Sequence, residues 1–238
     1  TSSDDHFLTT RWTRVVAARG QSPDAKQALQ DLCALNYAPV LRFLRASGHD
    51  VDQAKELTHE FFLEVLEHGS LGGSDPARGR FRSYLLGALK HFVANRRVYD
   101  SRLKRGAGNE VLPLETDNDT HHGLVPAALR NETPETLFDR EWALGVIGRS
   151  LARIEEENTV SSPEVFHTLK AWLSASTTPP AQASIAAALG MSEGALKVAI
   201  HRLRKRFREI VRQEVAQTLH DPSELGAEMQ HLIMVLSA

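Results

Sequence analysis

Cysteine is almost absent. Cys33 stands alone in a chain of 238 residues, so no disulfide can form within it. Its place among Leu32, Ala34 and Leu35 predicts a buried, inert thiol. No apolar run approaches the ~20 residues that span a bilayer. The N-terminal Thr-Ser-Ser-Asp-Asp-His is polar, without the basic-then-apolar order of a secretory signal. A cytoplasmic location is therefore expected, with no membrane partner. Strand signals are scarce and no internal repeat is visible. Metal-site grammar is missing as well: His121-His122 has no third ligand at metal spacing, and His59-Glu60 lacks the second histidine of a zinc-protease helix. Both pairs read as surface residues, and neither catalysis nor a cofactor is expected.

What is present is helical. The length suggests one or two domains, and 42% hydrophobic residues suffice for real cores. Ser22-Pro23-Asp24 combines an N-cap, a first-turn proline and an acid ahead of Ala28, Leu29, Leu32 and Leu35. Pro39 interrupts this run, Val40 to Arg45 continues it and Gly48 closes it. Asp50 or Asp52 caps the next helix, whose inward stripe is Ala54, Leu57, Phe61, Val65 and Leu66. A loop with Gly69, Gly72, Gly73 and Pro76 leads to a long helix from Arg80 to about Lys104, with Phe81, Leu85, Leu86, Leu89, Phe92 and Val93 on its apolar side. Residues 106–132 hold Gly106, Gly108, Pro113, Asp117, Asn118, Asp119, Gly123 and Pro126 with little periodicity and read as a linker.

Thr133-Pro134-Glu135 opens a second helical unit with Leu137, Phe138, Trp142, Ile147, Leu151 and Ile154 as core. Ser162-Pro163-Glu164 opens another helix, which Pro179-Pro180 stops. The tail is amphipathic, with Leu225, Met229, Leu232, Ile233 and Leu236 on one side. The expected architecture is all-α. It comprises two small helical domains, 1–105 and 133–219, joined by the linker 106–132 and followed by an acidic extension, 220–238.

Charge is distributed in blocks. Residues 1–77 carry seven Lys/Arg and eleven Asp/Glu, a balance of −4, whereas residues 78–108 carry nine and one, a balance of +8. A second basic block lies at Lys197 to Arg212, with seven Lys/Arg against Glu209 alone in a chain of net charge −2. After Arg212 there are four acids and no Lys or Arg.

The second basic block belongs to a helix–turn–helix. Ile185, Ala186 and Leu189 give a short first helix one buried stripe, and Ala186 is small enough for close approach. Gly190 supplies the turn, Met191 fills the corner, Ser192 caps the second helix and Glu193 meets its positive dipole end. Leu196, Ala199, Ile200, Leu203, Phe207 and Ile210 face inward. Lys197, His201, Arg204, Lys205 and Arg208 share the opposite face, where a phosphate backbone is the expected partner; Arg202 joins the candidate contacts. In the first basic block, Phe81 and Tyr84 lie beside Arg78, Arg80, Arg82 and Lys90, the aromatic-plus-cation mixture that binds single strands. Two readings of Phe81 and Tyr84 stay open here: base stacking, or packing at helical spacing.

In this order the parts resemble a bacterial RNA polymerase sigma factor of the extracytoplasmic-function type, from about residue 9 to 215. Asp52-Gln53-Ala54-Lys55-Glu56-Leu57-Thr58-His59-Glu60-Phe61-Phe62 is similar to the family's acidic region 2.2 helix. Asp75 to Leu85, continued through Asn95-Arg96-Arg97, resembles regions 2.3 and 2.4, and the helix–turn–helix resembles region 4.2. The resemblance implies a non-catalytic promoter-specificity subunit whose partners are polymerase core, through the β′ clamp helices and β flap, and promoter DNA. Further partners left open are an anti-sigma factor and, through Thr58, a regulatory kinase.

Carried over residue by residue, the resemblance assigns polymerase docking to Asp52, Glu56, His59 and Glu60. It assigns the minus-ten element to Arg78, Arg80, Phe81, Arg82, Tyr84, Lys90, Asn95, Arg96 and Arg97, with a flipped base held at Leu71 to Arg80. The minus-thirty-five element falls to Ser192, Glu193, Lys197, His201, Arg202, Arg204, Lys205 and Arg208.

Two features depart from the family pattern. Lys55 interrupts the run of acids in the docking helix; phosphorylation of Thr58 would restore about −1.5 to −2 of charge there, unless Thr58 is simply a helix residue. The acidic tail either shields the basic helix or, as the simpler reading, completes the second domain's core. The competing function is a stand-alone helix–turn–helix regulator whose first domain senses or dimerises.

Overall fold

A computed structural model describes residues 11, 22–68, 79–106, 132–159, 163–173 and 182–237. Among them the chain is all-α. Helices α1 (Pro23–Leu35), α2 (Tyr37–Ala46), α3 (Val51–His68) and α4 (Phe81–Gly106) precede the expected linker. Helices α5 (Pro134–Thr159), α6 (Pro163–Leu169, extended by a 3-10 turn), α7 (Gln182–Ala188), α8 (Glu193–Ala216) and α9 (Leu225–Ser237) follow it. The loop 69–78, the linker residues 107–131 with His121 and His122, and Ser162, Pro179 and Pro180 lie outside the described residues. No single described helix is long and apolar enough to cross a membrane.

The local grammar explains the boundaries. Ser22 accepts the Ala25 N–H at 3.1 Å, and Asp50 rather than Asp52 caps α3, accepting from the amides of Asp52 and Gln53 at 3.0 and 2.8 Å. Thr133 accepts the Thr136 N–H at 3.2 Å. Gly48, at φ 99°, ends α2 while the His49 N–H reaches back to the Leu44 carbonyl. The break between α1 and α2 falls at Asn36 instead of Pro39. The buried Asn36 side chain donates to the Leu32 carbonyl at 2.7 Å, and Pro39 sits in the first turn of α2, where its missing N–H costs nothing.

Helix α5 joins the parts. Phe138 is sealed in a first core with α1 to α4, around Leu32, Leu44, Phe61 and Leu85. Trp142, Ala143 and Val146 enter a second core with Val211, Val215, Leu225 and Leu232. Ile154 enters a third with Phe166, Trp172, Leu196, Ile200 and Ile210. The units expected on either side of residue 132 are thus packed face to face through α2 and α5. Ile147 and Leu151, expected in the core, are half-buried.

The tail differs from its expected stripe. Leu225, Glu228 and Leu232 are buried, whereas Ile233 and Leu236 are exposed. At 100° per residue Ile233 turns away from the arc that Leu225, Leu232 and Val235 share. The tail therefore completes the second core and leaves the outer face of α8 uncovered.

Cys33 lies in the first core, and burial pushes its thiol up to about 12. It should therefore resist thiol reagents at mildly alkaline pH until the core opens. Phe138→Ala is expected to cost about 3–5 kcal/mol by leaving a cavity and to speed Cys33 labelling under native conditions. Equal labelling rates in both proteins would show that α5 does not close this core.

Candidate nucleic-acid interface

The turn between α7 and α8 is built by its sequence. Gly190 adopts φ 63°, its N–H bonds to the Ala187 carbonyl at 3.1 Å, and the Met191 N–H reaches the Ala186 carbonyl at 2.9 Å. These paired bonds at a left-handed glycine end α7. Ser192 then caps α8, accepting the Ala195 N–H at 3.2 Å, with Glu193 in the first turn. The chain bends by 97° between the helices, within the range of helix–turn–helix units. Ala186 is buried at the crossing, and Leu196, Ile200, Leu203 and Ile210 anchor the inner face of α8, with Ala199 and Phe207 half-buried.

The opposite face is open. Ser192, Glu193, Lys197, His201, Arg202, Arg204, Lys205 and Arg208 are all exposed. No ion pair forms at Lys197, Arg202, Arg204, Lys205 or Arg208 among the described residues. Two guanidinium groups are steadied by backbone oxygens: Arg204 Nε donates to the Trp172 carbonyl at 3.0 Å, and Arg208 Nε to the Arg204 carbonyl at 3.3 Å. Val198 lies among these cations with 49% of its surface exposed. Arg206 is different. Its Nε and Nη2 grip Glu157 of α5 at 2.7 and 2.6 Å, tying α8 to α5 at the surface.

The first basic block is arranged otherwise. Phe81 and Tyr84 are buried core residues and so offer no ring to a base. Arg82, also buried, donates from Nε to Glu228 Oε1 at 2.7 Å and from Nη1 to Asp139 Oδ1 at 2.6 Å, and its guanidinium lies 5.2 Å from the Trp142 ring centroid. Arg80 Nη1 donates to Glu228 Oε2 at 2.8 Å, with Glu224 at 3.8 Å. His231 Nε2 lies 3.1 Å from Asp139 Oδ2. Burial alone lowers the pKa of Arg82, but the hydrogen bond and charge of Glu228, followed by Asp139, outweigh it and hold the guanidinium above its ordinary range.

The expectation that Phe81, Arg82 and Tyr84 contact a strand is therefore corrected for this conformation: apolar packing takes the rings, and carboxylates of α5 and α9 take the cation. Lys90 pairs with Glu135 at 2.9 Å and Arg96 with Glu60 at 2.6 Å, both on the surface. Asn95 and Arg97 are exposed; Arg78 and the loop from Leu71 lie outside the described residues. Tyr99, 58% exposed and one turn beyond Asn95, is the one exposed Phe, Tyr or Trp ring among the described residues.

On α3, Asp52, Glu56, His59 and Glu60 form a single exposed stripe that Leu63, 59% exposed, extends. Lys55 holds Asp52 at 3.3 Å, and the Tyr37 hydroxyl lies 3.4 Å from His59 Nε2. Thr58 faces inward. Its hydroxyl is buried and donates to the Ala54 carbonyl at 2.6 Å, which fits the reading of Thr58 as simply a helix residue and closes the alternative phosphorylation site in this fold.

No known protein family, curated protein or solved structure matches the chain. Sequence reasoning missed Val198, Leu63, Tyr99 and Glu228. Val198 falls between outward cations, Leu63 one turn beyond His59 and Glu60, and Glu228 four residues after Glu224. Helical phase alone places the first two; only packing identifies the cations that Glu228 meets.

The Arg206 hydrogen bond, partly opposed by burial, holds the Glu157 carboxyl below its usual range. A depressed carboxylate pKa contributes stability that is complete above the unfolded value of ~4.3 and lost as pH falls through the folded one. Both groups are about a third exposed, so the pair is worth at most about 1 kcal/mol. Arg206→Ala should lower stability at neutral pH, with the deficit fading in acid-dependent denaturation curves below about pH 4. A deficit independent of pH would assign Arg206 a packing role only.

Proposed function

We propose that this chain is a promoter-specificity subunit of RNA polymerase, a sigma factor of the extracytoplasmic-function type. The observation that carries the reading is the outer face of α8: a capped second helix of a helix–turn–helix with cations that meet no carboxylate among the described residues. On this reading the first turns of α8 enter the major groove. Lys197, His201 and Arg202 meet base edges, Val198 meets a thymine methyl group, and Arg204, Lys205 and Arg208 follow the phosphates. Ser192 and Glu193 sit at the groove floor's entrance, the serine also holding the cap.

The other elements support the same reading. The exposed acids of α3, with Leu63 beside them, suit the β′ clamp helices. Asn95, Arg97 and Tyr99 on α4 suit an unpaired strand, with Tyr99 in the stacking role first assigned to Phe81 and Tyr84. A stand-alone regulator would instead bind duplex operator without polymerase, as a dimer matched to repeated half-sites.

Two measurements test this. Core polymerase incubated with the chain should retain it on gel filtration and start transcripts from a genomic promoter library; core that neither binds it nor initiates would refute the proposal. Neutralising Lys197, Arg204 and Arg208 together should abolish that initiation. It should also flatten the log-log salt dependence of duplex binding by about 0.9 for each lost phosphate contact. An unchanged slope would remove α8 from the interface.

A further inference from the structure

We infer that Arg80 and Arg82 form a phosphate-binding site at the start of α4, and that the C-terminal helix α9 closes it by placing the Glu228 carboxylate there as a resident anion. The inference rests on the proposed function for the identity of the incoming ligand, an unpaired nucleic-acid strand.

The geometry is that of an occupied anion site. Two guanidinium groups converge on one carboxylate, through Arg82 Nε at 2.7 Å, Arg82 Nη2 at 3.4 Å and Arg80 Nη1 at 2.8 Å. Forked guanidinium contacts of this kind suit carboxylate and phosphate oxygens alike. Glu228 is 0% exposed, whereas a quarter of the Arg80 side chain stays in solvent. Asp139 and Trp142 from α5 also hold Arg82, and each touches α9 in turn, Asp139 through His231 and Trp142 through Leu225 and Leu232. When α9 leaves, the Asp139 ion pair remains as the α5 contact of Arg82.

The segment before α9 closes the backbone of the same site. The Phe81 N–H, the first of α4, donates to the Thr218 carbonyl at 2.9 Å, and Arg80 forms an antiparallel bridge with Leu219. Glu224, one helical turn before Glu228, lies 3.8 Å from Arg80. A stretch with four acids and no Lys or Arg therefore directs two of them at these two arginines.

An ionic seal suits a reversible contact. A buried ion pair is at best no stronger than an apolar seam of the same size, but another anion can replace one of its partners. The outer face of α8 stays open in the closed form, so duplex recognition does not require α9 to leave, whereas strand capture does. The two activities should respond differently to the loss of Glu228.

Glu228→Gln keeps the shape and removes the charge. In the full-length protein, a fluorescein-labelled single strand should bind about tenfold more tightly to the variant if the wild type is closed in about nine molecules of ten. Binding of a labelled duplex should be unchanged. In the wild-type protein, saturation with the single strand or with inorganic polyphosphate should deprotect the Phe81 amide in hydrogen exchange, because α9 and residue 218 leave together. Polyphosphate acting as well as the strand identifies a general phosphate site. The strand acting alone restricts the site to nucleic acid, and both outcomes support closure by Glu228.

A folded Glu228→Gln with unaltered strand affinity overturns the inference, as does a Phe81 amide that stays protected at saturation. Should the variant fail to fold, the wild-type exchange measurement decides. Retention by core polymerase is scored separately: a chain that core ignores but whose Phe81 amide opens with polyphosphate would refute the sigma reading and leave the anion site standing.

Discussion

A carboxylate without access to water must be met by cations, and Glu228 sets this condition for the whole assembly. Burying such a charge unpaired costs several kcal/mol even after relaxation, so α9 can dock only where Arg80 and Arg82 already converge. Arg82 is in turn held by α5. One turn of that helix gives Phe138 to the first core, Asp139 to the guanidinium and Trp142 to the second core. The ion cluster thus lies on the seam between two apolar bodies and fixes their relative placement. Apolar burial supplies the cohesion, being non-directional; the charges choose the register.

The second basic block shows the opposite economy. Along α8, Arg204 and Arg208, and Arg208 and Arg212, stand four residues apart on a helix, where like charges disfavour the fold by a few tenths of a kcal/mol per pair. Arg206 escapes this by pairing with Glu157; its neighbours on the outer arc have no carboxylate among the described residues. A helix anchored by Leu196, Ile200, Leu203 and Ile210 tolerates the repulsion because its inner face is fully engaged. On the proposed reading, the repulsion maintained in the free chain is relieved when DNA arrives, which converts uncompensated charge into association energy.

The two blocks also differ in how far they were legible in the sequence. For α8 the 3.6-residue period assigned inner and outer faces, the glycine–serine pair placed the turn and cap, and the packing follows both. The outer face needs no partner from elsewhere in the chain, so local rules suffice. For α4 the same period put Phe81, Leu85 and Leu89 on an apolar side, and the structure resolves the two readings of Phe81 in favour of the core. Arg82 shares that side of the seam, yet counting cations could not show that Asp139, 57 residues later, and Glu228, 146 residues later, would meet it. Charge density predicts an interface; it does not distinguish an outer ligand from an inner one. Thr58 repeats the lesson: the chemistry of phosphorylation fits its position on α3, and burial of its hydroxyl removes it.

On the proposed reading, the closed arrangement carries a geometric consequence. Elements centred about 35 and 10 base pairs upstream of a start site are separated by about 25 steps of 3.4 Å, or about 85 Å along B-form DNA. Helix α8 is 24 residues long, about 36 Å at 1.5 Å per residue. Its C-terminal end abuts the start of α4 through Thr218 and Leu219. With the latch shut, the base-reading turns of α8 and the start of α4 are separated by little more than that helix. One straight duplex with that spacing cannot meet the first turns of α8 and the Arg80–Arg82 site together in this state. Engagement of Arg80 and Arg82 therefore requires the Glu228 contacts to break, and the free energy needed has to come from polymerase docking on α3 or from the strand phosphates themselves. A subunit arranged in this way would scan duplex DNA through α8 alone and commit its first domain only where both further contacts are available, so that the buried carboxylate acts on specificity as well as on stability.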